Sequence, residues 1–449
     1  MKVSKKEKFF YGIGNLGYSS ISSTLSNFIM FFGTSVLGIS GTLVGIAVSI
    51  GVMWDAISDP VVGYFSDNCR SSLGKRHPFL LVGILGMCAI NLLIWLVPQT
   101  APQGVKFVWL LFSLLAVQTF CTCFGTPHLA LGLEMSQDPN EQTSIQCTKT
   151  IFHLLGMILP TIFMFIFMPS GRETQGQLSV NGYVNTAYSS SLLCLACGLI
   201  TFFGTLKKQN NYKIISEKTR KKEKFSSIFN DFFKILKKKQ YRIVILGYAV
   251  SLVASSILTA AGMHMFTYCF HFSSKQLSIS MGTLIVSAIF AQLFWNKVSR
   301  KIGKKQALIK GLAVGIFGIL LIWAVFSLRE LFSTNLLFGL TLPLIFVAGF
   351  GTGVLYSFPL SIFADVMAKD NQLTQTNKTG VYSGIMTLAS KISNSVSLVV
   401  IGVVLDLIKF SASNPVQPLS VQNGLGLLVI LGTIISLGGS ILVYNKYEE

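Results

Sequence analysis

The sequence predicts an all-α polytopic membrane protein of twelve transmembrane helices in two pseudo-symmetric six-helix bundles. Three observations predict it. The 449 residues are 51% hydrophobic and only 12% charged, with a mean hydropathy of +0.62, which excludes an ordinary soluble enzyme. Apolar runs long enough to cross a bilayer recur twelve times. A strongly basic stretch, 207–242, divides those runs six and six.

The spans fall at about 9–36, 41–66, 78–98, 105–131, 149–169, 185–206, 242–264, 277–297, 306–327, 335–362, 380–405 and 422–444. The first is too long and too polar for a cleavable signal peptide. With the N-terminus inside, inner segments hold 30 of the 36 lysines and arginines, and outer loops hold five. That asymmetry predicts a multi-pass protein of the cell membrane with both termini cytoplasmic. The +19 net charge is thereby a topology signal, and no nucleic-acid partner is expected. The domains expected are an N-terminal bundle (1–206), a basic cytoplasmic linker (207–241) and a C-terminal bundle (242–449). In the linker Ile228, Phe232 and Ile235/Leu236 recur at helical spacing among lysines. This reads as an interfacial helix on anionic membrane lipid or as a charge run used only for topology.

Span 2 carries Trp54-Asp55-Ala56-Ile57-Ser58-Asp59-Pro60. Asp55 and Asp59 are one helical turn apart on one face. A charge at mid-membrane costs about 2.5–3.5 kcal/mol on insertion scales, so two adjacent acids demand a reason. They repel each other unless a cation or proton lies between them. Pro60 has no N–H to give the carbonyl of Ala56, which adds a hard oxygen suited to Na+ or H+. The other reading is a structural acid pair beside a water-filled cleft.

Polar stripes at helical spacing occur in span 1 (Asn15, Ser19, Ser22/Ser23, Ser26) and span 11 (Gly384, Thr387, Lys391, Asn394/Ser395). Such faces line a central cavity or, for the small residues, pack helices closely. Lys391 lies about ten residues into its span, too deep to snorkel easily. The loop after span 2, Asp67 through Gly74-Lys75-Arg76, has a weak copy after span 8, Asn296 through Gly303-Lys304-Lys305. Each Gly follows its Asp or Asn by seven residues, and a repeat of this kind is typical of transporters. The eight cysteines read as packing residues, His128, His153 and His264, in or beside spans, as hydrogen-bonded packing residues ahead of proton relays, and the aromatic end of span 7 (Met263, His264, Phe266, Tyr268, Phe270, Phe272) as an interfacial belt ahead of a lid. No phosphate loop or nucleophile elbow is present, so neither ATP drive nor enzymatic chemistry is expected.

Gly63-Tyr64-Phe65-Ser66-Asp67 through Arg76 resembles the cytoplasmic motif of the major facilitator superfamily. Joined to the span 2 heptapeptide, it resembles the glycoside–pentoside–hexuronide:cation symporters, the melibiose permease-like family. Tyr11 to Tyr18, Thr126 to Glu134, Asn140 to Thr143 and Lys391 fit the same pattern. The resemblance implies a cation site at Asp55 and Asp59 with Thr122 and the Ala56 carbonyl, a metal site if the ion is Na+. It implies a substrate pocket at Lys391, Asn15, Ser19, Tyr18, Thr387 and Gly125, and a cytoplasmic gate of Asp67, Arg70, Gly74, Arg76 and Glu134. The family's sugar-gripping acids fall at Ser19 and Gly125 here, so a galactoside is not implied. The function expected is Na+- or H+-coupled symport of a small organic solute, a sugar or glycoside, by alternating access. A lysolipid or other amphiphile is the alternative, and a non-transporting sensor a further one. No cofactor beyond the coupling ion is expected, and the chain is expected to act as a monomer.

Overall fold

A computed structural model describes residues 3–136, 138–168, 176–206, 235, 237–374, 379–414 and 416–448. The expected interfacial helix of the linker lies almost wholly outside the described residues. Twelve long helical segments follow one another, and no strand occurs among the described residues. They are α1 (Lys5–Phe31), α2 (Gly41–Asn68), α3 (His77–Trp95), α4 (Gln103–Glu134), α5 (Pro139–Phe167) and α6 (Val180–Leu206) in the first half. The second half has α7 (Lys239–Ser256), α8 (Ser274–Ile302), α9 (Lys304–Ser327), α10 (Thr334–Thr352), α11 (Thr379–Leu407) and α12 (Leu419–Asn445). A π turn, Ile257–Ala261, carries α7 on to Gly262–Tyr268, and a 3-10 turn, Gly353–Tyr356, carries α10 on to Phe358–Thr374.

Local chemistry sets several of these ends. Ser4 and Glu7 form a reciprocal capping box at the start of α1, and Ser273 with Gln276 repeats it at α8. Beyond α1 a π turn at Phe32–Val36 leads through Leu37 to Gly38, whose φ of 68° favours a residue without a Cβ.

Contacts gather the chain into two units, Met1–Ile39 with Ile46–Lys222, and Ser40–Gly45 with Glu223–Glu449. In the first unit α1 packs on α5 and α6, and α3 on α4 and α6. In the second α7 packs on α11 and α12, and α9 on α10 and α12. These are the same pairs displaced by six helices, which is the pseudo-symmetry the repeated loop foretold. The first turn of α2 is grouped with the second unit for a visible reason. Asp406 on α11 accepts from Ser40 Oγ (2.6 Å) and from the N–H groups of Gly41 (2.7 Å) and Thr42 (2.9 Å), capping the helix from a distant part of the chain. A Cβ on Gly402 would meet the carbonyl oxygen of Gly41 at 2.1 Å, so the backbones touch there.

Eleven helices among the described residues are long and apolar enough to cross a membrane, one fewer than expected. The exception is α1, whose many Gly, Ser, Thr and Asn residues lower its mean hydropathy and are accommodated by packing on its neighbours. Asn15 and Ser19, expected to line an open cavity, are buried against α5: Ser19 donates to the His153 carbonyl (3.0 Å) and Asn15 to the Lys149 carbonyl (3.4 Å). A Cβ on Gly156 would meet Ser19 Oγ at 1.9 Å, so the two helices are in close contact. The more open face of α1 is instead Tyr18, Ser22 and Ser26, one turn apart from each other. The expected aromatic belt is corrected as well. Tyr268, Phe270 and Phe272 are buried, and Phe270 and Phe272 cluster with Phe266 at ring separations of about 5.5 Å, as rings do when they pack on each other.

Candidate functional site: an acid–threonine ladder

Asp55 lies 14 residues from the start of α2 and 13 from its end, at the middle of the helix. The helix runs unbroken through Pro60, so the Ala56 carbonyl faces a residue with no N–H to donate. Two hydroxyls of α4 meet the two acids. Thr122 donates to Asp55 Oδ1 at 3.1 Å, and Thr126 donates to Asp59 Oδ1 at 3.2 Å. Both pairs are separated by 67 residues in sequence. A constant offset is possible only if α2 and α4 run in the same direction, in register, at the common rise of 1.5 Å per residue. Trp54 extends the seam upward by donating from Nε1 to Thr119 Oγ1 at 2.8 Å.

Ser58 closes the lower part of the first rung, with its Oγ 3.0 Å from Thr122 Oγ1. Thr122 has one proton and gives it to Asp55, so Ser58 is the donor to Thr122. Ser58 and Thr122 are buried, whereas Asp55 and Asp59 remain half-buried. The arrangement therefore offers two carboxylates, two or three hydroxyl oxygens and a carbonyl within two helical turns, all hard oxygen donors. Among the described residues no group of three His, Cys, Asp or Glu exists that could hold a transition metal.

Thr122 stands with Asp55 as expected; Thr126 and Thr119 were not anticipated. Their signal was legible, because Thr119, Thr122 and Thr126 repeat the three- and four-residue rhythm of the acids on α2. Tyr18 stacks on Phe124 at 5.8 Å and lies over Gly125, where a Cβ would stand 3.6 Å from the ring. Thus Tyr18 and Gly125 meet near the ladder, while Asn15 and Ser19 point away to α5. His128 is buried between Tyr11 and Phe124, stacked on both, as a packing histidine. In the second unit Gly384 and Thr387 are exposed and Lys391 half-buried, on one face of α11. A Cβ on Gly384 would meet nothing within 4 Å, so that face is open.

Of the expected gate residues, Asp67 and Glu134 assemble around Arg76. Arg76 bonds Glu134 Oε1 through Nη2 (2.6 Å) and Nε (3.2 Å), Asp67 through Nη2 (2.6 Å), and Ser66 Oγ through Nη1 (2.5 Å). Burial by itself lowers the guanidinium pKa, but the hydrogen bonds and charge of Glu134, and then Asp67, raise it above the ordinary arginine value. Gly74 shapes the turn with a φ of 82° and donates to the Ser71 carbonyl at 3.0 Å. Arg70 is exposed and makes no ion pair among the described residues.

A protein family described as MFS/sugar transport protein matches residues 10–448. An uncharacterized symporter of Synechocystis sp. is 25% identical, covering 98% of this chain and 94% of its own. The sodium-dependent lysophosphatidylcholine symporter 1 of Xenopus tropicalis is 23% identical over 99% of this chain and 87% of its own, and the inner membrane symporter YicJ of Escherichia coli is 26% identical over 64% and 60%. Among solved structures, a bacterial homolog of the human lysosomal transporter Spinster, inward-facing, superposes with a TM-score of 0.67 at 11% identity, covering 99% of this chain and 98% of that one, a likeness of fold alone. The chain belongs to the MFS/sugar transport protein family and is a membrane-embedded symporter of the MFS type.

Proposed function

We propose that the protein couples movement of Na+ or H+ across the cell membrane to that of a small organic solute, a sugar or glycoside, in the same direction by alternating access. The ladder of Asp55–Thr122 and Asp59–Thr126 at the middle of α2 carries this reading. Two ionised acids one turn apart destabilise each other in a low-dielectric setting, and a bound cation removes that repulsion. The threonine hydroxyls serve both states. Without the ion their O–H groups hold the carboxylates apart; with Na+ they rotate to present lone pairs to it, and with H+ they accept from the protonated acid. Cation binding then tightens α2 against α4 beside Tyr18 and raises the affinity for solute. By linkage the solute tightens the cation by the same factor. A membrane potential contributes roughly 2.3 kcal/mol per charge per 100 mV, enough to drive accumulation. Both termini are cytoplasmic in this reading, and Arg76 with Glu134 and Asp67 forms the gate on that side.

A second reading has one observation in its favour. The relative from Xenopus tropicalis aligned over 99% of this chain is a sodium-dependent lysophosphatidylcholine symporter, so a lysolipid is the alternative solute. Reconstituted protein tested with glycosides and lysophosphatidylcholine under separate Na+ and proton gradients distinguishes the two. Asp59→Asn keeps an acceptor for Thr126 and is expected to lose cation stimulation, whereas Ser19→Ala, in the α1–α5 contact, keeps it. Equal stimulation in both variants would falsify the assignment.

A further inference from the structure

In the orientation proposed above, α2 begins and α11 ends at the outer surface, and one side chain fastens them. Asp406 is the last residue but one of α11, and its carboxylate is exposed. Its Oδ2 accepts from Ser40 Oγ (2.6 Å) and the Thr42 N–H (2.9 Å), and its Oδ1 from the Gly41 N–H (2.7 Å). The first N–H groups of a helix have no partner within it and carry positive partial charge, so an ionised acid caps them well. Ordinarily the capping residue directly precedes the helix. Here the acid that bonds Gly41 stands 365 residues further along the chain, so α2 keeps this cap only while α11 stays beside it.

The contact beneath the cap is of backbone on backbone. A Cβ on Gly41 would meet the Gly402 carbonyl oxygen at 2.5 Å, and one on Gly45 the Leu398 carbonyl oxygen at 2.5 Å. At these glycines the helices touch without a side chain of α2 between them, and such a contact parts without a side chain having to be repacked. Only Ser40–Gly45 are gathered with the second unit; from Ile46 onward α2 belongs to the first. There Trp54, Asp55 and Asp59 meet Thr119, Thr122 and Thr126 of α4. The helix is unbroken from Gly41 to Asn68. Gly41 and Asp55 are 14 residues apart, about 21 Å at 1.5 Å per residue, so a displacement of the capped turn is carried along one rigid rod to the acids.

We propose that Asp406 is a latch on the outer side of the symport cycle. While it caps α2 the acid–threonine ladder is shut off from the outer solution, and its release is the step that opens the ladder to that side. An exposed carboxylate serves this purpose because water replaces its three donors as α11 withdraws, whereas a buried one would be stranded. The latch rests on the alternating-access reading, and the two fail separately. A parent protein without cation stimulation ends that reading; unchanged labelling, in the experiment below, of a parent that does show stimulation ends this one.

The reporter is Ser22→Cys, on the more open face of α1. A charged, impermeant methanethiosulfonate is added to whole cells, which present the outer side, and to inside-out vesicles. Peptide mass spectrometry reads the label at position 22 apart from the eight native cysteines. Asp406→Ala is expected to speed labelling from the outer side about tenfold and to slow it from the inner side. Asp406→Asn keeps one acceptor oxygen and is expected to have a smaller effect in the same direction. Where Asp406→Ala does not fold, Gly402→Ala carries the test, because its Cβ would meet the Gly41 carbonyl oxygen at 2.1 Å and wedge the helices apart. A residue that merely capped α2 would lower the melting temperature and leave the sidedness of labelling as in the parent. That result, in the variant that folds, overturns the proposal.

Discussion

The link between α2 and α3 and the link between α8 and α9 both turn on a glycine but differ in length and in bonding: residues 69–76 separate the first pair of helices, Gly303 alone the second. Each is bent by a glycine in the left-handed region, Gly74 at φ 82° and Gly303 at 86°. Each glycine is followed by two cations, and in each unit one of them reaches an acid about sixty residues on, Glu134 or Asp365. In the first unit that cation is Arg76, with a side chain 9% exposed, joined to two acids and a serine. In the second it is Lys304, 39% exposed, bonded to both oxygens of Asp365 at 2.8 and 2.6 Å, with Asp365 itself 46% exposed. Asn296 stands where Asp67 stands in the first copy and has no charge to add. Lys305 is meanwhile committed to the C-terminal carbonyls. What the repeat retains is a glycine of positive φ, while the strength of the latch depends on how deeply its ions are buried.

That contrast can be broken most severely at Arg76. Arg76→Ala leaves Glu134 and Asp67 facing each other in a partly dry site and is expected to cost about 3–5 kcal/mol, read as a large fall in melting temperature. A loss below that of the glycine variants would mean that the triad is no stronger than a surface pair. Gly74→Ala and Gly303→Ala test the shared part. Each forces a Cβ into backbone of positive φ; Gly74→Ala is expected to cost about 1–2 kcal/mol, and Gly303→Ala, at φ 86° and ψ 157°, up to about 3 kcal/mol because that conformation is essentially open to glycine only. A loss at Gly303→Ala smaller than that at Gly74→Ala would show that the glycine conformation is not what strains the shorter link. Lys304→Ala removes a half-exposed pair and is expected to change the melting free energy by no more than about 1 kcal/mol. An effect as large as that of Arg76→Ala would erase the distinction drawn here.

Much of this was legible beforehand. The twelve-helix pattern follows from hydropathy, and the repeated turn from the spacing of Asp67, Gly74, Asn296 and Gly303. Asp55 with Thr122, and Arg76 with Glu134, came from residue type and family pattern together. What escaped was rotation about a helix axis. Asn15 and Ser19 share a stripe with Ser22 and Ser26 in sequence, yet two of the four turn into α5 and two do not. A serine satisfies a neighbouring carbonyl as readily as it faces water, so its presence does not say which. Thr126 escaped for a related reason, since its meaning depends on the register of α4 against α2.

By itself, then, the amino-acid order determined where the chain crosses the membrane, where it repeats, and that two acids had to be accommodated at the middle of one helix. Those are consequences of transfer energies and local backbone preferences, which act within a few turns of chain. Which hydroxyl serves which acid, which cation is buried, and which distant acid caps α2 were decided only by tertiary structure. These depend on the offset and rotation of whole helices, set by the summed packing of many small contacts that no short stretch of sequence encodes.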